Sequence, residues 1–240
     1  MELRGVTALV TGGARRVGKA IALGLAESGC NLVLHYNRSA DEAEATAVEA
    51  RAFGVRVRAV GADLSSDAVR AIADAEDLAP VRVLVNSAAV FTEDTLRRVD
   101  REAFEQTLVV NLTAPILLTS AFAAALPEGV SGAVVNVTDW RVARPYRDHF
   151  SYSVAKGGLD TFTTAAAEAL APSIRVNAVA LGAILPPAGK GSAYLKALAK
   201  DIPVHHVGDT DVVVHAVRFL LENDFVTGEI VRIDGGAHLR

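Results

Sequence analysis

The stretch that most constrains the fold is a strand–turn–helix–strand pattern at the start of the chain. The β-branched run at residues 6–10 leads directly into a turn at residues 11–18 that contains Gly12, Gly13 and Gly18. An apolar helical pattern follows this turn, and residues 31–35 then predict a second strand. Glycines at such a turn let backbone N–H groups and a helix N-terminus approach a pyrophosphate. The pattern therefore predicts a nucleotide-binding βαβ unit.

The rest of the chain alternates in the same way. Predicted helices cover residues 40–53, 67–77, 101–125, 151–171, 192–201 and 210–222, and predicted strands cover residues 55–60, 81–85, 133–137, 174–179 and 229–233. With 51% hydrophobic residues, the 240-residue chain can cover both faces of a buried sheet. Strands alternating with helices predict a single α/β domain over residues 1–240, a doubly wound parallel seven-stranded sheet of the Rossmann type.

Charge and hydropathy limit the partners that we expect. The net charge of −4 disfavours nucleic acid and anionic membranes as partners. No apolar run reaches the length of a membrane-spanning helix, and no signal-peptide pattern precedes the first strand. A single cysteine, Cys30, excludes an internal disulfide and fits a reducing compartment. We therefore expect a cytoplasmic protein that acts on a small molecule.

A tyrosine and a lysine are spaced for proton transfer in the predicted helix at residues 151–171. Tyr152 and Lys156 lie four residues apart and so share one helix face. An ammonium beside a phenol favours the ionised phenol, so we expect Lys156 to bring the pKa of Tyr152 from about 10 toward the working pH. Tyr152 is therefore the candidate general acid.

Several short motifs, in this order, resemble the short-chain dehydrogenase/reductase family over nearly the whole chain. They are Gly12, Arg16 and Gly18, then Asn86, Ser87 and Ala88, then Asn111, then Tyr152 and Lys156, and finally Asp234, Gly235 and Gly236. The resemblance implies a cofactor site formed by Gly12, Arg16, Val17, Gly18, His35, Tyr36, Asn37, Arg38, Ser39, Asp63, Leu64, Asn86, Ser87, Ala88, Tyr152, Lys156, Gly182 and Ile184. It also implies that Asn111 stabilises a kinked helix and holds a proton-relay water.

Two arginines favour NADPH as the cofactor. The second predicted strand ends without the acidic residue that accepts from a ribose 2′-hydroxyl, and Arg38 with Ser39 suits a 2′-phosphate instead. Arg16 replaces the usual middle glycine of the family's turn. We interpret Arg16 as a cation near the pyrophosphate and the substrate, because arginine binds phosphate in a planar fork. The alternative for both arginines is an ordinary solvated charge.

The residue thirteen positions before Tyr152 is an aspartate, Asp139, where the common form of the family has a serine. A serine hydroxyl donates to a ketone oxygen and to the alkoxide that develops on it. An ionised carboxylate would repel that oxyanion by up to ~4 kcal/mol at 4 Å and an effective dielectric near 20. Asp139 therefore favours a substrate that presents N–H donors, and it opposes Lys156 by keeping Tyr152 protonated.

Together with Phe91 and the segment at residues 35–39, Arg16 and Asp139 make the chain similar to the pteridine and bacterial dihydromonapterin reductases. That resemblance implies catalytic roles for Asp139, Tyr152, Lys156 and Asn111 and a substrate site formed by Arg16, Phe91, Asp139 and Tyr152. In this interpretation Phe91 sandwiches a pterin against the nicotinamide, Tyr152 donates a proton and hydride comes from NADPH. A purely structural packing role for Phe91 is the alternative.

Two other functions fit the same motifs. A one-residue slip would let Thr138 supply the missing hydroxyl, which would make the protein a carbonyl or 3-oxoacyl-thioester reductase. A non-catalytic dinucleotide sensor on the same fold is the second alternative, although such a sensor does not need Tyr152.

The C-terminal part of the chain supports weaker expectations. The loop at residues 186–207 is a candidate substrate lid, and Trp140 either closes the pocket or packs in the core. His205 and His206 lack further ligands at metal-binding spacing, so we expect no metal. Resemblance alone predicts a homotetramer, in which Arg240 would approach a neighbouring subunit's pocket, whereas a frayed terminus is the default.

Overall fold

The computed structural model describes residues 1–67, 76–78, 80–187 and 189–240. Within them lies a seven-stranded parallel sheet in the order β3-β2-β1-β4-β5-β6-β7. The strands are β1 Thr7–Val10, β2 Asn31–Tyr36, β3 Val57–Gly61, β4 Val81–Asn86, β5 Gly132–Asp139, β6 Ile174–Leu181 and β7 Ile230–Ile233. The predicted doubly wound α/β fold is confirmed.

Helices connect these strands. They are α1 Arg16–Glu27, α2 Ala40–Arg51, α3 Arg101–Leu108, α4 Ala114–Ala125, α5 Phe150–Leu170, α6 Ser192–Leu198 and α7 Thr210–Glu222. A π-helical segment, Val109–Thr113, joins α3 to α4, so the helix predicted at residues 101–125 is continuous and contains a π-helical turn. Most of the helix predicted at residues 67–77 lies outside the described residues.

The core lies on both faces of the sheet. Val10, Val83 and Val135 are buried on the face covered by α1 and α7. Leu9 and Leu84 are buried on the opposite face, which α4 and α5 cover. Strands buried on both faces have nearly continuous apolar sequences, and this explains the apolar runs that predicted them.

The sheet places the ends of β1, β4 and β5 next to one another. Asn86 pairs with Asn136 in the register of β4 and β5, and β5 continues to Asp139. The strand order reverses between β1 and β4, which is the topological switch point where open α/β sheets bind ligands. The glycine-rich turn and the start of α5 therefore lie at the same edge.

One helix in the described part of the chain has the length and hydropathy of a membrane-spanning segment. It is the 25-residue run Arg101–Ala125. Leu118 and Phe122 in this run are buried against the sheet. A core helix of an α/β domain passes the same length and hydropathy criteria, so this finding is weak evidence for a membrane.

We predict that Gly24→Ala destabilises the protein because α1 and α7 pack closely. A methyl group at Gly24 would overlap Val214 of α7. The free energy of unfolding should fall by about 1–3 kcal/mol, measured by urea denaturation. The double variant Gly24→Ala/Val214→Ala should be more stable than the sum of the single effects predicts. A Gly24→Ala variant as stable as the wild type would contradict this packing.

Candidate active site

The centre of the site is a hydrogen bond between a phenol and a carboxylate. The Tyr152 hydroxyl donates to Asp139 Oδ2 over 3.1 Å. Asp139 ends β5 and also accepts from the Arg141 backbone N–H over 2.8 Å. Tyr152 lies in the first turn of α5 with 8% of its surface exposed. The structure therefore brings the predicted proton donor and the unusual aspartate together.

The pKa of Tyr152 differs from the sequence prediction. Burial and the neighbouring Asp139 raise the Tyr152 pKa well above its usual value of 10. Burial also raises the pKa of Asp139, and its hydrogen bonds from Arg141 and Tyr152 partly oppose this. The expectation that Asp139 keeps Tyr152 protonated agrees with this structure, whereas the expectation that Lys156 brings the Tyr152 pKa down is wrong, because burial of the phenol is the largest effect and raises the pKa. Tyr152 is a protonated donor.

Lys156 lies about one turn after Tyr152 in α5, and a hydrogen bond fixes its amine. Its Nζ donates to the Val137 carbonyl over 2.7 Å and lies 5.8 Å from the centre of the Tyr152 ring. Burial lowers the pKa of Lys156 to about 8, although Asp139 and Asp160 oppose this effect. A buried lysine near neutrality can lose or accept a proton at working pH.

The structure does not place Thr138 in the position of Asp139. Successive residues of β5 point to opposite faces of the sheet. Asn136, which shares a face with Thr138, donates to Thr163 of α5 over 2.9 Å, and Thr138 lies beside Asp160 on that same side. The slip by one residue that would bring Thr138 to Tyr152 is absent. Asp139 faces the phenol.

Asn111 lies within the π-helical segment that joins α3 to α4. Its Nδ2 donates to the Val90 carbonyl over 2.8 Å, and its Oδ1 accepts from the Val90 N–H over 2.8 Å. The side chain thus fastens the loop after β4 to the π-helical segment. Its proton-relay water stays a prediction.

The glycine-rich turn packs too closely against its surroundings to admit side chains at Gly12 and Gly18. A methyl group at Gly12 would lie 2.9 Å from Ala88 Cα, and one at Gly18 would overlap the Gly12 carbonyl. Ser87 and Ala88 N–H groups donate to Thr11 Oγ1 over 2.9 and 3.0 Å. These contacts join the turn to the end of β4.

Arg16 occupies the left-handed region, with φ 58°, where the family has glycine. A non-glycine residue there costs about 1–2 kcal/mol. Its Nη2 donates to the Pro186 carbonyl over 2.6 Å, which joins the turn to the loop after β6. Arg16 begins α1, whose N-cap, Arg15, supplies no side-chain hydrogen bond, so the first N–H groups of α1 have no side-chain cap.

His35 does not fit the predicted role of a direct cofactor ligand. The Gly12 N–H donates to its Nδ1 over 3.2 Å, so the proton lies on Nε2, which donates to the Ala62 carbonyl over 2.9 Å. The ring is 1% exposed, and burial lowers its pKa. Both ring nitrogens are engaged within the protein. His35, in β2, therefore joins the Gly12 turn after β1 to the end of β3.

The other residues predicted to bind the cofactor after β2 and β3 include several polar side chains at the same edge of the sheet. Asn37 and Arg38 are exposed, and Ser39 precedes α2 without capping it through its side chain. Asp63 accepts from the N–H and hydroxyl of Ser65, and these bonds lower its pKa. Tyr36 packs against Gly61, Leu64 is buried and Val17 is half-buried.

Asn86, Gly182 and Ile184 are engaged inside the protein. Asn86 Nδ2 donates to Asn136 over 2.9 Å, and Asn86 Oδ1 is buried without a hydrogen-bond partner among the described residues. A methyl group at Gly182 would lie 2.6 Å from Asp234 Cα. The Ile184 N–H donates to the Gly182 carbonyl, so it is not free for a nicotinamide carboxamide.

Phe91 forms an aromatic wall beside Tyr152 with two residues that the sequence interpretation did not single out, Tyr146 and His149. Phe91 is 47% exposed, stacks on His149 at 3.8 Å between ring centres, and meets Tyr152 edge to face at 4.7 Å. Tyr146 lies 5.7 Å from Phe91, and the Arg141 guanidinium lies 4.8 Å from the Tyr146 ring. The available signal was the aromatic content of the loop immediately before α5.

The C-terminal 3₁₀ helix contacts the segment that follows β5. The Arg141 guanidinium also lies 4.5 Å from the half-buried Trp140 ring. The 3₁₀ helices Trp140–Val142 and Ala237–Leu239 contact each other, and Arg240 is exposed beyond them.

Among the described residues no group of three or more His, Cys, Asp or Glu side chains is placed to hold a metal ion.

The fold and the site define the class of the protein. Residues 12–238 match the sequence model of a family described as enoyl-(acyl carrier protein) reductase. The chain belongs to the short-chain dehydrogenase/reductase family.

Several known proteins are similar to the chain over nearly its full length. It is 37% identical to FolM alternative dihydrofolate reductase 1 from Brucella canis, crystallised with NADP, with a TM-score of 0.96 over 100% of this chain and 96% of that one. It is 26% identical to the angucycline C-6 ketoreductase LanV with bound NADP, with a TM-score of 0.91 over 100% and 98%. A Synechocystis 3-oxoacyl-[acyl-carrier-protein] reductase is 31% identical over 95% of each chain.

We predict that Lys156 makes stability depend on pH in the alkaline range. Its pKa is about 8 when folded and 10.5 when exposed, so between these values the unfolded chain binds a proton that the folded chain has released. Between pH 8 and 10 the free energy of unfolding should therefore rise by about 2 kcal/mol relative to Lys156→Met. Urea denaturation at pH 8, 9 and 10 without cofactor measures this difference.

The control is Lys200→Met, at an exposed lysine, which should follow the wild-type curve. Parallel curves for the wild type and Lys156→Met would contradict the lowered Lys156 pKa.

Proposed function

We propose that the protein is an NADPH-dependent reductase of a pterin or a similar nitrogen heterocycle, with Tyr152 as the proton donor. The observation that carries the proposal is the 3.1 Å hydrogen bond from Tyr152 to Asp139. A carboxylate beside the proton donor accepts N–H groups and disfavours a developing oxyanion. Membership of the family gives the coarser activity, an NADP-dependent oxidoreductase, and the proposal concerns its substrate.

The residues present fit a dinucleotide at the glycine-rich turn. The space beside Gly12 and Gly18 admits no side chain, α1 begins without a side-chain cap, and Asn86 Oδ1 lies buried without a partner. Backbone N–H groups at such a helix start bind a pyrophosphate. Arg38 and Ser39 would bind the 2′-phosphate, and NADP is present in the FolM and LanV crystal structures.

The mechanism assigns one task to each residue of the centre. When bound, NADPH supplies a hydride to the carbon of a C=N bond. Tyr152 gives its proton to the nitrogen, since its raised pKa keeps it protonated until the substrate arrives. Lys156 would hold the nicotinamide ribose, and Asp139 would accept an N–H of the pterin's amino-pyrimidine edge.

The aromatic wall supports a flat substrate. Phe91 presents its exposed ring surface beside Tyr152, while His149 stacks on the ring and supports it. A pterin ring would pack on Phe91 with its edge toward Asp139, because aromatic stacking favours planar ligands. Arg16, fastened to Pro186, would close the side of this pocket next to the pyrophosphate.

A 3-oxoacyl-thioester or other carbonyl reductase is the second candidate, because the Synechocystis relative bears that activity in its name. Thr138 lies beside Asp160, about two turns along α5 from Tyr152, and this counts against the carbonyl reductase. A non-catalytic sensor has no use for Tyr152 and Lys156 placed on one helix face. Cytoplasmic location and a homotetramer remain predictions.

A substrate panel tests the proposal. The wild-type protein is assayed with NADPH against dihydrobiopterin, dihydromonapterin and an acetoacetyl thioester. The proposal expects turnover of at least one dihydropterin. Turnover of the thioester alone would establish the carbonyl reductase, and NADPH binding without any turnover would establish the sensor.

We predict that Asp139→Ser loses pterin reduction. The variant removes a charge-assisted acceptor for the substrate N–H, so kcat/KM for the dihydropterin should fall about 10- to 100-fold. The matched control is Thr138→Val, which changes the neighbouring residue on the opposite face and should keep kcat/KM near the wild-type value. Equal activity of Asp139→Ser and wild type would show that Asp139 is incidental.

We predict that Arg38→Ala selectively weakens NADPH. Loss of a hydrogen-bonded charge on the 2′-phosphate should raise the KM for NADPH about tenfold or more and leave that for NADH unchanged. Arg51→Ala removes the same charge at the other end of α2 and serves as the control. An unchanged ratio of the two KM values would contradict the assignment of Arg38.

A further inference from the structure

Two loop segments at the substrate side of the site are fastened to each other. One comprises residues 91–94, after β4. The other comprises residues 148–151, which run into the first turn of α5. We call the two segments together the clasp. The Asp94 N–H donates to the Asp148 carbonyl over 2.9 Å, and the Phe150 N–H donates to the Asp94 carbonyl over 3.3 Å. Asp94 and His149 form an isolated parallel β-bridge. The clasp thus joins parts of the chain more than fifty residues apart.

The Asp94 side chain caps the helix that carries Tyr152. The Ser151 N–H donates to Asp94 Oδ1 and Oδ2 over 3.1 and 3.3 Å, and the Ser151 hydroxyl donates to Oδ2. The residue at the N-cap of α5, His149, supplies no side-chain cap of its own. Since the first N–H groups of a helix need an acceptor, a carboxylate from another loop supplies it here.

The clasp sets both sides of the substrate pocket. Tyr152 directly follows Ser151, and Phe91 begins the other segment. The His149 Nδ1 donates to the Thr92 carbonyl over 2.8 Å, and the His149 ring stacks on Phe91. A shift of Asp94 would therefore move the proton donor and the aromatic ring relative to each other.

We propose that Asp94 is a positioning residue for the reduction, acting through Ser151 on Tyr152 and through the clasp on Phe91. It touches neither the reacting atoms nor the cofactor groups assigned above. This inference rests on the proposed role of Tyr152 as the proton donor, but it holds for a pterin or a carbonyl substrate. A misplaced donor lowers the rate of proton transfer while the glycine-rich turn still binds the cofactor.

The test compares Asp94→Ala with Asp100→Ala in the full chain. Asp100 caps α3 by accepting from the Ala103 N–H over 2.9 Å, so its variant also loses a helix cap, but away from Tyr152. We expect kcat of Asp94→Ala to fall about tenfold or more while NADPH affinity is unchanged, and Asp100→Ala to keep its kcat. Asp94→Asn, which retains an acceptor for Ser151, should recover part of the lost kcat.

A purely structural role gives a different result. If Asp94→Ala and Asp100→Ala both lower Tm and both keep kcat, the proposal is overturned. If Asp94→Ala does not fold, Ser151→Ala and Asp94→Asn replace it, and wild-type kcat in both would overturn the proposal. The double variant Asp94→Asn/Ser151→Ala should show non-additive losses, because both changes act on one set of hydrogen bonds.

The readouts separate this inference from the substrate assignment. The value of kcat is measured with whichever panel compound the wild type reduces, so a thioester in place of a pterin leaves the comparison intact. Hydrogen exchange of the Ser151 amide, which donates to Asp94, provides a second measure without substrate. Faster exchange in Asp94→Ala but not in Asp100→Ala supports the cap, and equal exchange in both overturns it.

Discussion

The hydrogen bond between Tyr152 and Asp139 is the interaction on which the site depends. Both groups are removed from water, and burial opposes the charged form of each. A phenol in this environment stays protonated and donates a hydrogen bond to the nearest acceptor. The same carboxylate repels a developing oxyanion and attracts N–H donors. This pair of side chains therefore keeps the phenol protonated next to a group that can accept N–H donors.

Three parts of the fold position this pair and the neighbouring Phe91 ring: β5, α5 and the loop after β4. Asp139 ends β5 at the carboxyl edge of the sheet. Tyr152 lies in the first turn of α5, next to Asp139. Lys156, one turn further along, is tied to the Val137 carbonyl of the same strand. Asn111 fastens the loop after β4 to the π-helical segment between α3 and α4, and this loop continues into Phe91. The proton donor, its acceptor and the aromatic ring are thus positioned by different elements.

The sequence predicted the parts of this arrangement that local patterns encode. Apolar runs marked the strands because both faces of the sheet are buried, and the spacing of Tyr152 and Lys156 marked a shared helix face. Asp139 was recognisable by its distance from Tyr152 along the chain. These predictions need only neighbouring residues or a known motif order.

Other features depend on tertiary contacts that no local pattern contains. The cap of Asp94 on α5 joins residues 57 positions apart. The use of both His35 nitrogens depends on how β1, β2 and β3 end relative to one another. The lowering of the Tyr152 pKa by Lys156 was predicted wrongly because the depth of burial of the phenol, the largest cause of its raised pKa, is a property of the packed structure. Bounds of helices differ by a few residues for the same reason.

The most direct measurement is a crystal structure of the protein with NADPH and a dihydropterin bound. The account predicts that an Asp139 carboxylate oxygen lies about 3 Å from a ring or amino nitrogen of the substrate, with the Tyr152 hydroxyl beside the reacting nitrogen. An Asp139 side chain turned to solvent, with Thr138 in its place beside Tyr152, would contradict it.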